Sequence, residues 1–100
     1  MKSLSHPSIN DINLEQILSA LSEPTRLAIF KELYSAQDEK NCSSFSSLGQ
    51  KNNLSHHFKT LRECGIIYVR IEGRKRCISL RNEELNKKFP NLLKVIYDKS

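Results

Sequence analysis

The sequence lacks the features that mark secreted, membrane-spanning and disulfide-stapled proteins. No stretch approaches the roughly 18 consecutive apolar residues of a membrane helix, and the opening MKSLSHPSIND has no apolar signal core. Its three cysteines, Cys42, Cys64 and Cys77, are an odd number at wide spacing, without a C-x-x-C or C-x-C pair. We therefore expect no disulfide framework and no membrane partner, but a cytoplasmic protein with reduced thiols.

The composition is that of one small globular domain. The chain has 100 residues, of which 38% are hydrophobic and 27% are charged, a balance typical of folded rather than disordered proteins. It contains no internal repeat and no low-complexity tract. Residues 1–9 are polar and include Pro7, so we predict a flexible N-terminal segment there and a folded domain over residues 10–97.

The net charge is concentrated in one stretch. The whole chain carries +5, and Lys51 to Arg76 holds seven basic and two acidic residues. The remaining residues hold nine of each sign and are neutral overall. Such clustering indicates a polyanionic partner. Nucleic acid is the partner we expect, and an anionic membrane surface is the second, less favoured candidate.

Two helices are predicted before this stretch. The first carries apolar residues from Ile12 to Leu21 at helical spacing and has Asn10 or Asp11 as its cap. The wide apolar band suggests burial against the core alone, or against the core and a partner subunit. Ser22 is the predicted cap of the second helix. Arg26 lies near the N-terminus of that helix, where the positive end of the helix dipole disfavours a cation. An arginine at this position favours an anionic partner, either a carboxylate of the fold or a DNA phosphate.

The basic stretch itself reads as helix, turn and hairpin. After a polar loop over residues 36–44 and a short helix from Phe45 to Leu48, a longer helix begins near Lys51 and stops at Gly65. Two strands follow, joined by a turn at Glu72-Gly73. A last helix starts at a capping Asn82 and is interrupted by Pro90.

This order predicts a mainly α winged helix-turn-helix fold with about five helices and a β-hairpin wing that is a two-stranded antiparallel ribbon. A helix fits the DNA major groove, and its N-terminal residues reach base edges. The candidate base contacts are Gln50, Lys51, Asn52, Asn53 and His56. Candidates for phosphates, or for holding the helix, are Ser55, Lys59, Thr60 and Arg62, together with the wing residues Arg70, Arg74, Lys75 and Arg76. His57 lies at the edge of the buried face and is predicted to be packed and hydrogen-bonded rather than a base reader.

These motifs resemble the ArsR-type (arsenical-resistance repressor) winged helix-turn-helix regulators of bacteria. The resemblance rests on ALSEPTRLAI at residues 20–29, SHHFKTLRECGII at 55–67 and the wing EGRKRCISL at 72–80. The tail RNEELNKKFPNLLKVI resembles a subgroup with an F-P-x-L-L motif. The resemblance implies a nucleoid-associated homodimer built on the first and last helices, and a repressor that blocks a promoter through the 51–64 helix and the 70–77 wing. An inverted-repeat operator is the expected target of such a dimer.

The sensing sites of many such relatives do not carry over. One thiolate site needs C-x-C, and here Cys42-Ser43-Ser44 offers a single thiol; another needs histidine on the last helix, which ends KVIYDKS. We therefore expect no metal and no cofactor, the inducer being unknown. Two alternatives are a repressor that senses a metal or oxidant through Cys42 and a winged-helix module that binds proteins. An enzyme is not expected, because no residues at suitable spacing complete a catalytic group with His56 or His57.

Overall fold

Five α-helices and a three-stranded antiparallel sheet enclose one apolar core in the computed structural model, which describes residues 4–100. The helices are α1 (Leu14–Leu21), α2 (Pro24–Ala36), α3 (Lys51–Glu63), α4 (Asn82–Lys88) and α5 (Leu92–Lys99). The strands are β1 (Lys40–Asn41), β2 (Ile67–Glu72) and β3 (Lys75–Leu80), and short 3-10 helices cover Ile9–Asp11 and Cys42–Leu48. The predicted mainly α winged helix-turn-helix fold is confirmed.

The first two helices begin later than their capping residues suggested. The side chain of Asn13, not Asn10 or Asp11, accepts the first cap bond of α1, from the Gln16 N–H at 2.9 Å. Ile12, before it, is extended and buried in the core. The cap of α1 is therefore Asn13, which follows the buried Ile12.

The cap of α2 is Glu23 rather than Ser22. The Glu23 carboxylate accepts from the Arg26 N–H at 2.9 Å. Pro24 occupies the first turn of the helix, and a proline keeps the residue before it extended, as a cap must be. Ser22 instead ends α1, where its hydroxyl donates to the Ser19 carbonyl at 2.6 Å.

The sheet has one strand more than the predicted two-stranded ribbon. Within the predicted polar loop, Lys40 and Asn41 pair with Ile78 and Cys77, which gives the order β1-β3-β2. A strand of two residues is too short to show an alternating pattern. The β2–β3 hairpin, called the wing below, turns at Gly73 and Arg74 rather than at Glu72-Gly73, because Glu72 is still paired with Lys75.

The core joins the helices to the wing. The short helix predicted at Phe45–Leu48 is a longer 3-10 helix that begins at Cys42, and its Phe45 packs edge-on against Phe58 of α3 with ring centroids 5.5 Å apart. Gly65 ends the α3 region, as predicted, at φ +81°. A Cβ at this glycine would lie 2.3 Å from the Ile12 side chain, so both its backbone angle and its surroundings require glycine.

The C-terminal part forms two short helices. The predicted interruption at Pro90 is confirmed, since α4 ends before it, Asn91 has φ 67° and α5 follows. Asn82 starts α4 but makes no side-chain cap bond, because Arg81 occupies the cap position. Tyr97 of α5 stacks on Tyr34 of α2 at 4.7 Å, which holds the last helix on the domain. No helix within residues 4–100 is long and apolar enough to span a bilayer.

Residues 4–9, where a flexible segment is predicted, make hydrogen bonds to the rest of the domain. The Ser5 carbonyl accepts from Arg62 of α3, His6 Nε2 accepts from the Val69 N–H at 3.0 Å, and the Pro7 carbonyl accepts from Arg81 at 2.8 Å. The segment thus bridges the end of α3 and the base of the wing. Residues 1–3 of that prediction lie outside the described residues.

Candidate nucleic-acid interface

Helix α3 has one buried face and one solvent face, as its apolar spacing predicted. Leu54, Phe58 and Leu61 are at most 9% exposed and anchor the helix on the core. Gln50 takes the cap position without a side-chain cap bond, so the first N–H groups of α3 remain available to a ligand. Seven of the predicted contact residues on α3 and at its cap are exposed: Gln50, Lys51, Asn52, Asn53, Ser55, His56 and Lys59.

Two of the predicted contacts on α3 are placed differently. Thr60 and Arg62 are only half-exposed. The Arg62 guanidinium donates to the Ser5 carbonyl at 2.5 Å, so this side chain ties α3 to the N-terminal segment. Of the α3 cations, Lys51 and Lys59 are therefore the ones exposed for a polyanion.

His57 connects α3 to the start of α2. Its Nδ1 lies 3.2 Å from Arg26 Nη1, and its Nε2 lies 3.8 Å from the Glu23 carboxylate. The prediction of a packed, hydrogen-bonded histidine is confirmed. Arg26 also donates through Nε to the Ala20 carbonyl at 2.7 Å. Within residues 4–100, its guanidinium therefore bonds to a carbonyl and a histidine ring, not to the predicted carboxylate, and the phosphate alternative stays a prediction. The Arg26 N–H holds the pKa of the Glu23 carboxyl below its usual value.

The wing has one arginine that is ion-paired with carboxylates and three cations that have no such partner among the described residues. Arg70 donates to the carboxylates of Glu39, at 2.7 and 3.2 Å, and of Glu72, at 2.8 Å. These two carboxylates raise its pKa further above the ordinary arginine value, and they cancel its positive field. Arg74, Lys75 and Arg76 are exposed and make no ion pair with any residue between 4 and 100. Three of the four predicted wing cations are thus free to meet an anion.

The wing cations and α3 face each other across a groove of about 830 Å³. Below, it is called the α3–wing groove. Its cationic lining residues are Lys51, Lys59 and Arg62 from α3 and Arg74, Lys75 and Arg76 from the wing, and no acidic side chain lies among its described lining residues. A cleft lined by charge of one sign concentrates the field it produces. The geometry therefore joins the two halves of the predicted basic stretch into one positive surface.

The base of the wing contains a buried arginine that the sequence pattern did not predict. Arg81 is 3% exposed and donates from Nε to Glu84 at 3.1 Å and from Nη1 to the Pro7 carbonyl at 2.8 Å. Its guanidinium also lies 4.6 Å from the centre of the Tyr68 ring. Tyr68 donates to Glu84, and that bond raises the pKa of the tyrosine and lowers the pKa of the carboxyl. The spacing of Arg81 and Glu84 by three residues was the available signal.

The cysteines do not come together as a metal site. Within residues 4–100, no group of three or more His, Cys, Asp or Glu side chains is placed to hold a metal ion. Cys42 is half-buried at the edge of the α3–wing groove, and burial raises the pKa of Cys64. A raised pKa disfavours the thiolate, which is the reactive form.

Comparison with known proteins identifies a relative of similar length. The HTH-type transcriptional regulator YceK of Bacillus subtilis (strain 168) is 37% identical over 86 residues, which span 81% of this chain and 83% of the relative. No model of a known protein family matches the sequence.

Solved structures share the same architecture. HlyU from Vibrio cholerae N16961 superposes with a TM-score of 0.69 at 22% identity, over 85% of this chain and 88% of that one. A possible transcriptional regulator for arsenical resistance gives 0.64 at 26% identity, over 87% and 84%. The homodimeric winged helix-turn-helix DNA-binding domain of Mb0332 from Mycobacterium bovis, a possible ArsR-family regulator, gives 0.65 at 24% identity, over 85% and 78%. Together these comparisons assign the fold and the class of protein.

Proposed function

Because this chain belongs to the ArsR-type family of winged helix-turn-helix transcriptional regulators, which bind DNA, we propose that it is a dimeric repressor reading an inverted-repeat operator. In this proposal it acts in the bacterial cytoplasm on the nucleoid, with α3 in the major groove and the wing on the adjacent backbone. The observation that carries the proposal is the α3–wing groove, where Lys51 at the exposed start of α3 and the unpaired cations of the wing tip line one surface.

The exposed start of α3 supports the reading of bases. Asn52 and Asn53 can each pair with adenine through two hydrogen bonds, and Lys51 can donate to guanine or to phosphate. His56 is exposed next to the fixed His57, so its ring is free to donate or accept at a base edge. Lys59 and Ser55 are placed along the same groove and serve the phosphate backbone, which positions the helix without reading sequence.

The electrostatic division within the wing supports a role for its tip. Arg74, Lys75 and Arg76 supply the phosphate or minor-groove contacts, whereas Arg70 is occupied by Glu39 and Glu72. Arg70 instead braces the wing against the segment before β1. We propose the same kind of role for Arg62, which is held by the N-terminal segment.

Exposed apolar side chains on the first and last helices support a homodimer. Leu14 and Leu18 of α1 are 38% and 49% exposed, and Val95 of α5 is 54% exposed. The opposite side of α1, with Ile17, Ala20 and Leu21, is buried in the core. We propose that a second copy of the chain covers these leucines and the valine. The two α3 helices of such a dimer would read half-sites about one DNA turn, roughly 34 Å, apart.

Selection of bound duplexes from a random pool tests the function. We expect recovery of an inverted repeat whose half-sites are separated by about one helical turn. Sedimentation tests the dimer, with Leu18→Glu expected to give monomers and Ser19→Glu, the same added charge at an exposed neighbour on α1, expected to leave the dimer intact. Recovery of no preferred sequence, or a wild-type monomer at micromolar concentration, would refute the corresponding half of the proposal.

A further inference from the structure

We propose that the α3–wing groove is also a binding site for a small amphiphilic organic anion, one with an apolar chain or ring and a single acidic head. The groove has the size of a small-molecule pocket: its volume of about 830 Å³ lies within the usual range of roughly 300–1,000 Å³. DNA phosphates would use the cationic side chains of this groove, whereas the apolar part of its lining is left for a different ligand.

The floor of the groove is apolar, which phosphate recognition alone does not need. The apolar lining residues, which are called the floor here, are Leu4, Leu54, Phe58, Val69 and Ile78. Phe58 is the most exposed side chain of the core, at 9%, and Leu4 is only half-buried. An apolar body laid on this floor would be removed from water, and its binding would gain from the area it buries.

The cationic lining residues of the groove, which are called its rim here, favour a ligand with a negative charge. Lys51 and Lys59 stand on the α3 side, and Arg74, Lys75 and Arg76 stand on the wing side. None of these five makes an ion pair with a residue in the described part of the chain, 4–100. The groove therefore offers several cations to one acidic head, and no carboxylate in its described lining repels that head.

The same cations belong to the proposed DNA surface, so the two ligands exclude each other. An acidic head that occupies Lys51, Lys59 or the wing tip takes the partners of a phosphate, and its body fills the space beside α3. Occupancy of the groove would therefore release DNA. This second half of the inference rests on the proposed function, whereas binding of the amphiphile does not.

Amide chemical-shift mapping of the full chain with octanoate tests the site directly. We expect shifts at groove residues such as Ser43, Ser46 and Ser55, with smaller or no shifts from acetate, which lacks the apolar body, and from 1-octanol, which lacks the charge. Octyl sulfate distinguishes a preference for a carboxylate head from a preference for any anion. Equal responses to acetate or to octanol, or shifts confined to α1 and α5, would overturn the proposal.

Substitutions at the floor separate this site from DNA binding. Leu4→Ser should weaken octanoate about fivefold by removing apolar contact, and Ser46→Tyr should weaken it by filling the groove. Ser5→Ala is the matched control, because only the backbone carbonyl of Ser5 is used. Leu4→Ser and Ser5→Ala remove no cation and should leave affinity for the selected duplex unchanged, whereas Ser46→Tyr fills the space beside α3 and should weaken DNA binding as well. If Leu4→Ser and Ser46→Tyr both bind octanoate as the wild type does, the floor is not the site.

Competition completes the test. At octanoate about ten times above its own dissociation constant, the apparent affinity for the selected duplex should fall about tenfold. An unchanged DNA affinity with a filled groove would overturn the exclusion of DNA. If octanoate binds but the protein selects no DNA, the proposed function fails while the amphiphile site stands; if DNA binds but octanoate does not, the site fails alone.

Discussion

Arg26 Nη1 of α2 lies 3.2 Å from Nδ1 of His57 on the recognition helix, α3. The guanidinium has only donors, so Nδ1 must accept and the proton of the neutral ring lies on Nε2, which faces Glu23. Arg26 also donates to the Ala20 carbonyl. One side chain thus fixes the recognition helix to the α1–α2 junction, although the helix dipole suggested an anion as its partner.

Replacement of Arg26 should affect stability rather than phosphate binding. Arg26→Ala removes the bonds to Ala20 and His57, and we expect the free energy of unfolding in urea to fall by about 1–3 kcal/mol. Arg26→Lys keeps the charge, but a single ammonium cannot reproduce the planar pair of donors that reaches both Ala20 and His57. It should therefore recover little of the lost stability. The dependence of DNA affinity on salt should be unchanged. A salt slope reduced by about one per subunit would instead make Arg26 a phosphate contact.

A pair of glycine substitutions tests the packing between α3 and the segment before α1. Gly65→Ala combines a positive φ with a clash against Ile12, and we expect a loss of about 2–5 kcal/mol. Gly73→Ala in the wing turn has φ +60° but nothing within 4 Å, so it should cost only about 1–2 kcal/mol. The comparison is made by urea denaturation. Equal losses would mean that Ile12 does not press on Gly65.

Stability should depend on pH through His6. Burial, followed by the charges of Arg62 and Arg81, lowers the pKa of His6, so the unfolded chain binds this proton more readily than the folded chain. The contribution is complete above the ordinary histidine pKa of about 6.5 and is lost as the pH falls towards the lowered value. Protonation also removes the acceptor of the Val69 N–H.

The check compares urea midpoints at about pH 7.5 and about pH 5.5 for wild type and His6→Ala. The variant should be less stable by about 0.5–1.5 kcal/mol at the higher pH and should lose less on acidification. His56 and His57 are common to both proteins and cancel in the difference. Parallel losses in the two proteins would exclude His6 as the group responsible.

Base preference should reside at the N-terminal end of α3. Asn53→Ala and His56→Ala should each cost about 1–3 kcal/mol on the selected sequence and relax the preference at one base position. Lys59→Ala should weaken all sequences alike, because it removes a phosphate contact. Repeating the duplex selection with each variant gives the measurement. An unchanged consensus with Asn53→Ala and with His56→Ala would move base reading elsewhere.

Local patterns made the helices and the wing predictable. Leu54, Phe58 and Leu61 lie on one face of α3, and Gly65 ends it, because those features depend only on nearby residues. The pairing of Arg70 with Glu39, 31 residues away, and of Arg81 with Pro7, 74 residues away, depends on the completed fold. The sequence could show that the wing is basic, but it could not show that, among the described residues of the wing, Arg70 alone is paired with carboxylates.

The N-terminal segment shows the same limit. Residues 4–9 are polar and proline-containing, which favours a loose segment, yet they gain their partners from Arg62, Val69 and Arg81. Those partners are themselves brought together only by the packing of α3 on the sheet. The α3–wing groove arises in the same way, since it joins residues from the two ends of the basic stretch with Leu4.

The salt dependence of DNA affinity tests most directly the claim that α3 and the wing tip bind the backbone. For the wild-type dimer on its selected duplex, log affinity against log salt should have a slope of roughly −5 to −7. Arg74→Ala should make it shallower by about one per subunit, whereas Arg70→Ala, which removes an already paired cation, should leave it unchanged. A slope near zero, or one altered by Arg70→Ala and not by Arg74→Ala, would contradict the account.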